Sequence, residues 1–219
     1  MNTKTVENKD SEIVNNISTR IYAIIFGLLT GVGGAIHGIY EILQGNKLTE
    51  GFALADIGAV SIIPNYLITG IAAITVSIFI IIWTIRFIHK EHGPTIFIIL
   101  SIILFLVGGG IGQVIIFLLA WTVATQINKP LSWWERILPL KVRKYLARLW
   151  FPILLFGSLI FIVGFGIWLF VIPPGELAEI TLIYCVCWSF LILGILVLLI
   201  AIVCGFARDL ELRSKHHTK

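Results

Sequence analysis

"TIFIILSIILFLVGGGIGQVIIFLLAWTVATQI", residues 95–127, is a run of 33 residues without a charge, interrupted only by the four glycines Gly108, Gly109, Gly110 and Gly112. As one straight helix rising about 1.5 Å per residue it would measure about 50 Å, well beyond the ~30 Å hydrocarbon core of a bilayer. It must tilt steeply, project from the membrane, or break at the glycines. A continuous helix over 95–121, with Gly108, Gly109, Gly110 and Gly112 as close-packing positions, is the simpler expectation. A break would bare backbone amides and carbonyls for a ligand, as in transporters with discontinuous helices. The echo of "LVGGGI" (106–111) in "IVGFGI" (162–167) needs no more than composition to explain it.

The rest of the chain is of the same character. Of its 219 residues, 58% are hydrophobic and 13% charged, against roughly 25% charged in an ordinary soluble domain; the mean hydropathy is +0.99. An all-α integral membrane bundle follows, without a separate soluble domain. Windows of about 20 apolar residues, the length needed to span, place five transmembrane helices at 21–43, 66–88, 95–121, 151–172 and 180–206, as one domain over 21–206. The polar tail 1–20 lacks a small-residue cleavage signal, so the first helix is expected to stay in the protein. The net charge of +4 comes from basic residues beside apolar spans. Anionic lipid headgroups are therefore the expected partner, and nucleic acid is not.

Orientation rests on where Lys and Arg collect. With five spans, Lys47, Lys129, Arg136, Lys141, Arg143, Lys144, Arg148, Arg208, Arg213, Lys215 and Lys219 share one side, and Lys4, Lys9, Arg20, Arg86 and Lys90 the other. This predicts an outside N-terminus and a cytoplasmic C-terminal tail (207–219), in the plasma membrane. The segment "GFALADIGAVSIIP", residues 51–64, is too short to span and reads as a surface or re-entrant helix. The connection 130–150 reads as interfacial. Ser132 and Glu135 fit a capping box, Trp133 and Trp134 suit the headgroup layer, and Pro139 interrupts. Beyond it, Lys141, Lys144 and Arg148 face away from Val142, Tyr145, Leu146 and Leu149, the pattern of a basic helix lying on a membrane.

In the first span Gly27, Gly31, Gly34 and Gly38 form one narrow stripe, a close-packing face that would also permit a homodimer contact. Beside it stand His37 and Glu41, one turn apart, so both can turn away from lipid. Gln113 on the third span and Asn65 at the start of the second fall at similar depth. Titratable groups inside a membrane cost several kcal/mol unless paired or hydrated, which marks these four as candidates for a substrate or ion site. Three readings compete: a structural hydrogen-bond network, a solute or ion pathway, and catalysis or metal binding. One His and one Glu are too few for zinc, so no metal or cofactor is expected.

Other signals are weaker. "HKEH" (89–92) reads as a solvated turn, and His216 with His217 as a tail pair that could hold metal only adventitiously. Cys185, Cys187 and Cys204 read as buried reduced thiols. "NIS" (16–18) matches a glycosylation acceptor. No G-x-S-x-G elbow, H-E-x-x-H, P-loop or dinucleotide fingerprint occurs in the chain. The expectation is a small solute- or ion-binding permease with its polar site in the cytoplasmic half. A membrane scaffold is the alternative, and an intramembrane enzyme the third reading.

Overall fold

The computed structural model describes residues 15–49, 51, 53–54, 59–170 and 181–216. The expected tail up to residue 14, the connection 171–180 and His217 lie outside the described residues, as do residues 52 and 55–58 of the 51–64 segment. The elements are α1 (Ile17–Leu43), β1 (Ala53–Leu54), β2 (Ala59–Val60), α2 (Tyr66–Phe87), α3 (Gly93–Leu106), α4 (Gln113–Ala124), α5 (Ser132–Ile137), α6 (Leu140–Phe170) and α7 (Thr181–His216). The protein is an all-α bundle of membrane character. Four helices, α1, α2, α6 and α7, are long and apolar enough to cross a bilayer.

The glycine stripe of α1 is spent inside the chain. A Cβ on Gly27 would meet Thr84, on Gly31 Ile81, and on Gly34 both Ser77 and Leu104, while one on Gly38 would lie 2.8 Å from the Gly70 carbonyl oxygen. α2 and α3 therefore press against the α1 backbone, and the stripe is not available for the homodimer contact expected of it. Tyr22 and Phe26 stack at 4.3 Å and join Ile80, Phe97 and Phe117 in one core.

The third expected span is not a helix through the membrane. It is a hairpin of two short helices, α3 of 14 residues and α4 of 12, about 21 and 18 Å long. α3 descends antiparallel to α2 until Leu104 meets Gly34. The chain turns through Val107–Gly112, with φ +98° at Gly108 and +87° at Gly110, angles at which glycine alone is unstrained. α4 then climbs back along α1: Gln113 lies against Gly33, and thirteen residues later the Asn16 amide side chain donates to the Gln126 carbonyl (2.7 Å). At the top the Asn128 side chain donates to the His89 carbonyl (2.9 Å), closing the mouth of the hairpin where it began. The expected continuous helix is thus corrected to a re-entrant pair, because the glycines permit a reversal that a tilted helix would not need.

This reversal changes which ends of the chain meet. Asp209 of α7 accepts hydrogen bonds from the Ser18 N–H (2.8 Å), the Thr19 N–H (2.9 Å) and the Thr19 hydroxyl (2.7 Å), capping α1 from across the molecule. Arg213 donates to the Asn16 side chain and to the Pro130 carbonyl. The start of α1 and the end of α7 therefore lie at one end of the bundle, where five straight spans would have put them at opposite ends. Asn16 is 1% exposed and its side-chain nitrogen is engaged, so the glycosylation match has no accessible acceptor.

The 130–150 connection also differs. Leu131, not Ser132, precedes α5, in left-handed backbone at φ 54°, because its side chain is buried with Phe206 and Leu210. The capping box does not form. After Pro139 the basic segment with Lys141, Lys144 and Arg148 runs without a break into α6, with Pro152 accommodated inside, so it is the first turns of a long helix and not a separate surface helix. Its buried cation is Arg143, between Glu135 (3.5 Å) and Glu211 (3.8 Å). Cys187 and Cys204 are buried, whereas Cys185 is exposed on the outer face of α7.

Candidate functional site

The re-entrant turn is built around the two ionisable groups of α1. Glu41 is 0% exposed and its carboxylate lies so close to Gly108 that a Cβ there would collide with it. His37, 6% exposed, stands one helical turn earlier, and a Cβ on Gly110 would come 2.5 Å from its Nε2. Gln113, at the start of α4 and 2% exposed, reaches Gly33, where a Cβ would lie 2.8 Å from its Nε2. The structure thus brings together His37, Glu41 and Gln113. Gly108 and Gly110 act as the hollows that admit the first two, and Gly33 admits the third. Gly112 has nothing within 4 Å of a Cβ and packs against no neighbour.

These side chains do not satisfy one another. Both Glu41 oxygens, His37 Nδ1 and both polar atoms of the Gln113 amide are buried without a hydrogen-bond partner. In a packed interior nearly all such groups are paired, and each exception marks a site that holds something else or stores strain. A carboxylate there is stable with a proton on it or a cation beside it.

On the side away from the start of α1 the turn is closed by the described part of the connector between α1 and α2. The segment expected as a helix is extended in its described residues: β1 pairs antiparallel with β2, Ala53 opposite Val60 and Leu54 opposite Ala59. The Gly108 N–H then donates to the Val60 carbonyl and the Ile62 N–H to the Leu106 carbonyl, both at 2.9 Å. Ala59, Val60 and Ser61 are buried, and the Ser61 and Thr69 hydroxyls are hydrogen-bonded at 2.9 Å. Sequence reasoning missed this stopper. Only the short length of 51–64 hinted that it stays at the bundle's end. Toward α6 and α7 the site borders an apolar cavity of about 390 Å³ lined by Ile111, Ile115, Phe161, Phe165 and Trp188, with His37 as its titratable wall residue.

Asn65 stands apart from the set. Its side chain accepts from the Ile68 N–H (3.1 Å) as the cap of α2 and donates to the Asn46 side chain (2.7 Å). Among the interfacial residues, Trp133 and Trp134 meet edge to face at 4.7 Å, Trp133 outermost, and Lys141, Lys144 and Arg148 are exposed. The "HKEH" turn is solvated at Lys90, Glu91 and His92. Partial burial, with Arg20 and Lys90 nearby, holds His89 below the usual imidazole range. Among the described residues no three His, Cys, Asp or Glu side chains come together as a metal site would require. Compared with family models, with curated proteins and with solved structures, the chain gives no match in any of the three.

Proposed function

We propose that this protein is a small permease that binds a cation, or the cationic group of a small solute, at Glu41, with His37 and Gln113 as neutral ligands. The observation that carries the reading is the unpartnered carboxylate, fully buried against a glycine turn where a helix is interrupted. A purely structural network would pair these groups, as most buried polar groups are paired. Interrupted helices, with backbone groups freed at the break, are where transporters place ion sites. The connector strand β2 and the packed helices enclose the site, so the arrangement corresponds to an occluded state in which cargo exchange requires the connector or the hairpin to move.

Orientation in the membrane belongs to the same proposal. With the hairpin returning to its own side, the Lys and Arg of the described residues redistribute. Arg20, Arg86, Lys90, Lys129, Arg136, Lys141, Arg143, Lys144, Arg148, Arg208, Arg213 and Lys215 lie toward the end that holds the start of α1 and the end of α7, and, among the described residues, Lys47 alone toward the other. By the positive-inside rule that end is cytoplasmic. The site at His37 and Glu41, in the last two turns of α1, then lies in the outer half of the bundle rather than the cytoplasmic half. The plasma membrane, as its setting, is part of the same proposal.

The test is Glu41→Gln in proteoliposomes carrying a pH gradient, with monovalent and divalent cations supplied in turn. The wild type should carry a cation-dependent flux that the variant loses, while its elution profile and thermal midpoint in detergent stay close to wild type. A variant that unfolds, with Glu41→Asp restoring the fold but no flux in either protein, would leave Glu41 a structural role and remove the permease.

A further inference from the structure

A second concavity, of about 580 Å³, opens at the end of the bundle that holds the start of α1 and the end of α7, between the last turns of α4, the chain leading to α5, and α7. Its wall changes character along the helix axis. Farther along the helices it is Leu119 and Ile202, half-buried, with Leu199 exposed on the outer face; at the other end it is Gln126, Lys129 and Ser132, beside Trp133 and Trp134. From Leu119 to Gln126 is seven residues, about 10 Å of helix, which is close to the depth over which a monolayer passes from acyl chain to headgroup. Among the described residues no Asp or Glu lines the cleft.

Lys129 is fixed in backbone and available in charge. Its carbonyl accepts from the Asn16 side chain (2.8 Å) and from Arg213 (3.1 Å). Its ammonium enters none of the ion pairs among the described residues, all of which involve Arg143 or Lys215. The left-handed turn at Leu131, anchored on Phe206 and Leu210, carries the chain round so that Ser132 and Trp133 form the opposite lip.

We infer that this cleft is a specific site for an anionic phospholipid. The phosphate sits on the Lys129 ammonium and the Ser132 hydroxyl, and one acyl chain lies along Leu119, Leu199 and Ile202. Positive charge at the rim selects an anionic headgroup, as basic pockets between membrane helices do. The apolar half selects a lipid over free phosphate, which would leave that surface uncovered. The two tryptophans supply the amphipathic rings that sit at headgroup level. The site is independent of the permease reading, since it lies at the opposite end of the hairpin from Glu41.

Native mass spectrometry of the full chain in detergent, titrated with phosphatidylglycerol or phosphatidylcholine of identical acyl chains, tests it. Phosphatidylglycerol should be retained about tenfold more tightly, a factor that corresponds to 1.4 kcal/mol. Lys129→Gln should abolish the difference while leaving phosphatidylcholine unchanged. Leu199→Trp, which fills the apolar half without touching the charge, should weaken both lipids, and millimolar inorganic phosphate should displace neither. Equal retention of the two headgroups by the wild type, or an undiminished preference in Lys129→Gln, overturns the proposal. Displacement by inorganic phosphate would assign the rim to free anion and overturn the lipid site.

Discussion

Glu41 and Asp209 are two buried acids with opposite circumstances. Asp209, 3% exposed, takes three hydrogen bonds from Ser18 and Thr19, while Glu41 takes none. The first is a cap: its charge faces the amide end of α1, where a helix favours an anion. Removing it strands two buried amides, each costing about 1–3 kcal/mol. Asp209→Ala should therefore destabilise the protein by about 2–6 kcal/mol, read as a lowered thermal midpoint in detergent, with Asp209→Asn recovering part of it and Asp209→Glu restoring little because the longer side chain does not fit. His37, Glu41 and Gln113 were legible as polar exceptions within apolar runs. Asp209 was not, because its partners stand 190 and 191 positions away. Asn65 was legible only as a polar residue at the right depth, and its actual role as a helix cap is a matter of local backbone geometry.

The hairpin α3–α4 depends on a few backbone angles. Gly108 and Gly110 adopt positive φ and leave room for Glu41 and His37, whereas Gly112 has φ −60° and open space around it. Alanine at the first two positions adds strain of about 1–3 kcal/mol and a methyl group that collides with the site. Alanine at the third should change stability by no more than about 0.5 kcal/mol. Thermal unfolding of Gly108→Ala, Gly110→Ala and Gly112→Ala in detergent should thus separate into two lowered midpoints and one unchanged. If Gly112→Ala falls as far as the others, the turn does not have this form. From residues 95–127 alone the break was one of three ways to fit a long apolar run into a bilayer. The choice was made by contacts from outside the run: the backbone bonds from Val60 and Ile62, and the Gly33 hollow that receives Gln113.

For the whole molecule, the start of α1 and the end of α7 lie at the end of the bundle that carries almost every described Lys and Arg. Reporter fusions at the N- and C-termini should both be active as cytoplasmic reporters, and a cysteine introduced at Lys47 should be labelled by an impermeant reagent from outside. An externally labelled N-terminus with a cytoplasmic C-terminus would show that the hairpin crosses the bilayer after all. Membrane embedment, the helical class and the polar residues of α1 were written in the sequence, because transfer of apolar side chains from water depends on composition and length. The direction in which residues 113–127 run, and with it which helix ends share one end of the bundle, was decided only in three dimensions. A hydropathy window records how much surface is apolar and is blind to whether the chain continues or doubles back; that depends on backbone angles at two glycines and on partners brought from distant parts of the chain.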